Sequence, residues 1–179
     1  EIAVVQSKLC IGLKCGIEPT SKEYYALMLG GCIFGGSPFS KLFTNVREKL
    51  SLAYYASVRT ERFKSTMFIS SGIETDKYQA AYDEILVQFN KMKSGDITDS
   101  EVVNSKLYLT NGFNSMKDGL RTMEDYYLSQ AIMDNKGEID DLIEMTNKVT
   151  KEEIVEAFNK VEIDTVYFLK GCASDGGDE

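Results

Sequence analysis

Residues 29–55, LGGCIFGGSPFSKLFTNVREKLSLAYY, decide how the rest of the chain is read. Two glycine pairs, Gly30-Gly31 and Gly35-Gly36, are followed by a helical pattern and then by a strand opening on tyrosines. Ser37 before Pro38 predicts a helix start, because a serine oxygen accepts an early backbone N–H and proline at the first helical position forfeits no bond. The helix is expected over 38–49, with Phe39, Leu42, Phe43 and Val46 in one apolar stripe and Lys41, Asn45, Glu48 and Lys49 facing away. From Leu52 the period changes to two, which places Leu52, Tyr54, Ala56, Val58 and Thr60 on one side of a strand and Ala53, Tyr55, Ser57, Arg59 and Glu61 on the other. Arg47 then falls in the last helical turn and Tyr54 at the head of the strand, so both can reach one end of a sheet.

The run at 35–57, GGSPFSKLFTNVREKLSLAYYAS, resembles the non-catalytic domains of the M16 metallopeptidase family. The family motif reads glycine-glycine, serine-x-leucine-phenylalanine, arginine-glutamate-lysine, leucine-alanine-tyrosine. One departure is Leu50-Ser51, where a basic residue and glycine are common. The resemblance implies a two-layer α+β fold, and it makes Arg47 and Tyr54 the substrate-binding arginine–tyrosine pair, a clamp on the peptide main chain facing a zinc site across a cavity. It is nearest to bacterial subunits that lack zinc ligands and partner a second, zinc-binding M16 subunit. The implied partners are therefore a peptide substrate and a zinc-bearing M16 domain or subunit, in a dimer. A proteolytically inactive scaffold of M16 ancestry is the alternative the resemblance permits.

Outward from this stretch, 2–15 reads as a strand with Val5, Ser7, Leu9, Ile11, Leu13 and Cys15 on one face. Thr20 or Ser21 can cap a helix reaching about Phe34, with Tyr24, Leu27, Met28 and Cys32 inward. Downstream, 52–63 and 66–74 are close enough to pair as an antiparallel hairpin, and the second strand is apolar on both faces, as an interior strand would be. Helices follow at 78–93, from Thr98 with Val102, Leu107, Leu109 and Phe113 apolar, and at 120–133, 138–147 and 151–160. Thr98/Glu101 and Thr150/Glu153 have capping-box spacing. A last strand is expected at 164–170. Strands in adjacent pairs, with helices able to segregate to one side, give an α+β two-layer sandwich whose mostly antiparallel sheet is covered on one face. A single domain is expected over 1–173, with a short acidic tail at 174–179. Glu1 opens almost directly into a strand, so the chain reads as a piece of a longer protein.

Composition removes several function classes. The 179 residues carry a net charge of −8, which argues against a nucleic-acid or anionic-membrane surface. There is no run of about 18 apolar residues that would span a bilayer. Histidine is absent. M16 hydrolysis needs HxxEH and a distant glutamate to hold zinc and activate water. The chain is therefore expected to be non-catalytic by itself and to hold no cofactor, with zinc in a partner. Cys10, Cys15, Cys32 and Cys172 form no CxxC pair and fit buried reduced thiols of a cytoplasmic protein. The GGxxxGG pattern lacks the GK[ST] of a phosphate loop and fits close packing between two helices and the sheet. Glu138, Asp140, Asp141 and Glu144 fit a solvated helix face.

Overall fold

A computed structural model describes residues 6–171. The expected tail and Cys172 lie outside them, as do the first residues of the strand expected from Ile2. The order is β1 (Ser7–Lys14), α1 (Glu23–Gly31), β2 (Ala53–Glu61), β3 (Thr66–Ile73), α2 (Tyr78–Ser94), α3 (Asp99–Met116), α4 (Leu120–Ile132), α5 (Ile139–Lys148), α6 (Lys151–Asn159) and β4 (Glu162–Leu169). The four strands form one antiparallel sheet in the order β2-β3-β1-β4, so the hairpin and the interior position of β3 are as expected. Leu9, Ile11 and Leu13 of β1 and Met67, Ile69 and Ile73 of β3 are buried beneath the helices, while Phe68 and Tyr167 remain exposed on the other face. This is the expected α+β two-layer sandwich.

The glycine pairs set how closely the layers meet. α1 is buried at Tyr24, Ala26, Leu27, Leu29, Gly30 and Gly31, which makes it a core helix rather than an amphipathic one. A Cβ on Gly30 would lie 2.4 Å from the Phe158 ring of α6, and one on Gly31 would lie 3.1 Å from Thr60 Oγ1 of β2. Past Gly31 the helix widens into a π turn, Cys32–Gly36. There a Cβ on Gly35 would meet Val58 Cγ2 at 2.4 Å and the Val58 backbone nitrogen at 3.0 Å. The pattern is thus helix–helix packing at Gly30 and helix–sheet packing at Gly31 and Gly35. Gly35→Ala is expected to lower unfolding free energy by about 1–2 kcal/mol, because the clash outweighs alanine's better helix propensity. Urea unfolding measures it.

Helix starts differ from expectation where side chains could choose between partners. Ser21 Oγ donates to the Glu18 carbonyl at 2.8 Å and does not cap α1. Ser37 does not cap the next helix either; residues 37–40 form a turn, and Ser40 Oγ accepts the Phe43 N–H at 3.4 Å. By contrast, both capping boxes form: Thr98 N–H donates to Glu101 Oε2 at 2.7 Å, and Thr150 N–H to Glu153 Oε2 at 2.8 Å. On α3, Leu107 is exposed and Ser105 is buried in its stead.

Candidate functional site

Arg47 and Tyr54 line one open depression of about 400 Å³ at the head of β2, with Ser51, Leu52, Ala53, Glu74 and Lys77. The sequence-based expectation that these two side chains share one end of the sheet is met. Two backbone irregularities bring them there. The helix carrying Arg47 is α-helical only at Lys41 and Leu42 and then runs as a π-helix, Phe43–Lys49. Leu50 N–H closes its last turn on the Asn45 carbonyl, five residues back, at 3.3 Å. In β2, Ala53 pairs with Ile73 and Tyr55 with Gly72, so Tyr54 is the extra residue of a β-bulge. A bulge re-aims side chains and breaks strict alternation. Tyr54 and Tyr55 are accordingly both exposed, and only from Ala56 onward do the two expected sides separate into a more buried and a more exposed one.

Ser51, in the turn between helix and strand, has φ +49°. That left-handed conformation is the one glycine adopts most cheaply, which accounts physically for glycine at the corresponding place in the motif that Leu50-Ser51 departs from.

The Arg47 side chain is exposed, with its guanidinium 4.6 Å over the Phe43 ring. Such stacking holds the group in place while leaving its N–H donors free. Among the described residues Arg47 has no carboxylate partner. Glu74, the acid in the depression, is engaged by Lys77 at 3.0 Å, and that hydrogen bond holds the Lys77 ammonium above its ordinary value. Tyr54 is 57% exposed, and its hydroxyl has no hydrogen-bond partner among the described residues. The depression thus presents unspent donors.

The helix bearing Arg47 is pinned from its first turn. Lys41, expected to face solvent, is 8% exposed and pairs with Glu101 of α3 at 2.8 Å. Sequence periodicity missed this because the partner lies sixty positions away in the chain. Burial pushes the Glu101 carboxyl up, but the Lys41 hydrogen bond, the Thr98 amide and the Lys41 charge outweigh it and leave it below its ordinary value. A carboxyl lowered in the folded state adds stability that is present above the unfolded value, about pH 4.3, and is lost as pH falls through the folded one. Wild type should therefore lose more stability than Glu101→Gln between about pH 6 and about pH 3, read from urea midpoints.

No group of three or more metal-ligating side chains converges among the described residues. Burial pushes the Cys15 thiol up to about 11 and raises the Cys32 thiol as well, so neither offers a thiolate at neutral pH. The carboxylates of the 138–144 run are spent on local contacts: Asp141 accepts the Glu138 N–H, Lys117 pairs with Asp140 and Lys148 with Glu144. No helix among the described residues is long and apolar enough to cross a membrane.

The family model described as the peptidase M16 inactive domain matches residues 3–109. A Bacillus subtilis (strain 168) protein named "probable inactive metalloprotease YmfF" is 39% identical over 168 residues, covering 94% of this chain and 39% of that protein. "Uncharacterized zinc protease YmxG" of the same organism is 28% identical over 163 residues, covering 90% of this chain and 37% of that protein. The crystal structure of a conserved protein from Enterococcus faecalis V583 superposes with a TM-score of 0.90 at 31% identity, covering 97% of this chain and 41% of that one. The chain spans about two fifths of the length of these relatives.

Proposed function

The chain belongs to the M16 peptidase family as its inactive domain, and from that premise we propose that Arg47 and Tyr54 grip the main chain of a peptide substrate opposite a zinc site carried by a partner domain or subunit. The observation that supports this most is their convergence on one open depression with donors uncommitted. A guanidinium offers forked N–H donors to peptide carbonyl oxygens, and a phenol adds an O–H donor beside them. Such donors raise turnover when they meet charge developing on the scissile carbonyl. Zinc would supply the activated water, and the donor set here does not fit it: histidine is absent and the buried thiols stay protonated. The hydrolytic metal is therefore assigned to the partner, and this domain to binding and orientation. Main-chain contacts carry little side-chain information, so the clamp itself selects for an extended peptide.

Peptide hydrolysis tests this, measured for the protein that carries this chain, alone and mixed with a zinc-binding M16 subunit of the same organism. Cleavage that falls in both Arg47→Ala and Tyr54→Phe, with folding unchanged, supports the clamp. Absence of cleavage in every mixture, or normal cleavage by both variants, overturns it in favour of a scaffold.

A further inference from the structure

Arg47 is a ridge between two hollows. On one side lies the depression shared with Tyr54, which contains Glu74 and Lys77. On the other lies a trough of about 310 Å³ between the Gly35-Gly36 turn, Pro38, the Tyr55–Ser57 segment of β2 and Tyr108 of α3. Apart from Arg47 at its rim, no charged residue lines this trough. β2 is an edge strand. Among the described residues no backbone group of 53–57 bonds to anything beyond β3, while at Val58 the Gly35 turn closes on the strand, so the N–H and C=O groups left to an extended chain lie along 53–57. Tyr108 closes the far wall. It is 44% exposed, and its ring meets Phe39 edge-on at 5.8 Å and 90°, which fixes the ring upright while leaving a face open.

We propose that this trough is a side-chain subsite of the clamp, which takes an apolar, preferably aromatic, residue of the gripped peptide, and that Tyr108 sets this preference. The inference rests on the clamp reading and adds to it the chemical class of one substrate residue. The two hollows differ in kind: an apolar side chain placed against Tyr108 loses water without meeting a charge, whereas on the other side of Arg47 it would lie against Glu74 and Lys77. An acidic side chain in the trough would give up water with Arg47 as its only charged neighbour there. Phe39 supports the Tyr108 ring and is a positioning residue.

The test is an amide NMR titration of the 179-residue chain with blocked hexapeptides that differ only at one central position, bearing Phe, Leu, Ser or Asp. The Phe and Leu peptides should bind about tenfold more tightly than the Ser peptide, the scale expected of an open apolar pocket. Tyr108→Ala should shrink this ratio to about twofold by weakening the Phe and Leu peptides, and Tyr108→Phe should preserve it. Arg47→Ala should weaken the Phe, Leu and Ser peptides alike. Equal affinities in wild type, or an unchanged ratio in Tyr108→Ala, overturn the subsite while a uniform loss in Arg47→Ala leaves the clamp standing. If no peptide of the series shifts the amides around Arg47 and Tyr54, the clamp fails and the subsite with it.

Discussion

Phe158→Ala lowers the unfolding free energy by about 3–5 kcal/mol, the range for emptying a buried aromatic site. Phe158 is fully buried, edge-on to Phe34 at 5.9 Å and tilted against Phe89 at 6.3 Å, where α6, α2 and the π turn after α1 meet. Its ring occupies the space that a Cβ on Gly30 would enter. Truncation therefore leaves a void bordered by a residue with no side chain to relax into it, which favours the upper part of the range. Urea unfolding should show a lower midpoint at an unchanged slope. The same geometry predicts a reversal of sign. Gly30→Ala destabilises the wild type by collision with the ring, but in the Phe158→Ala background it fills space and gains helix propensity of up to about 1 kcal/mol. If Gly30→Ala has the same sign in both backgrounds, the packing assigned to this pair is wrong.

Under the clamp proposal, Arg47→Ala lowers peptide turnover on the order of a hundredfold, the cost of one donor to a developing oxyanion. Tyr54→Phe removes only the hydroxyl and leaves the ring, so its loss isolates the hydrogen bond from packing. Both residues are exposed, and stability should stay within about 0.5 kcal/mol of wild type in each variant. The double variant discriminates further. Donors that act on one stretch of peptide are coupled, so the combined loss in kcat/KM should fall short of the product of the single losses. Full multiplicativity would mean that the two side chains serve separate sites despite lining one depression.

Local chemistry was legible in the sequence and long-range chemistry was not. The capping boxes at Thr98 and Thr150 could be read because donor and acceptor lie three residues apart. The strand and helix periods gave the α+β sandwich, and the glycine pairs gave close packing, though not that Gly30 faces a phenylalanine almost 130 residues on. Arg47 and Tyr54 came from motif resemblance, since an arginine in a last helical turn also suits the helix dipole. The bulge at Tyr54 left no mark on the alternating pattern, because tyrosines at both 54 and 55 satisfy either phase. Ser37 and Ser40 are equally good caps by type, and the turn at 37–40 chose between them. The Lys41 ion pair and the Phe39–Tyr108 contact both depend on α3, whose approach only tertiary packing fixes.

The sheet order also shapes the birth of the chain. β1 lies between β3 and β4, so its first neighbour arrives with the hairpin and its second only after all of α2–α6 has been synthesised. On the ribosome one flank of a strand whose inner face carries Leu9, Ile11 and Leu13 therefore stays unpaired until α2–α6 have been made, an opening for nascent-chain aggregation or chaperone capture. The closing β1–β4 contact spans the greatest sequence separation in the sheet, and zipping it is expected to be a late event in folding.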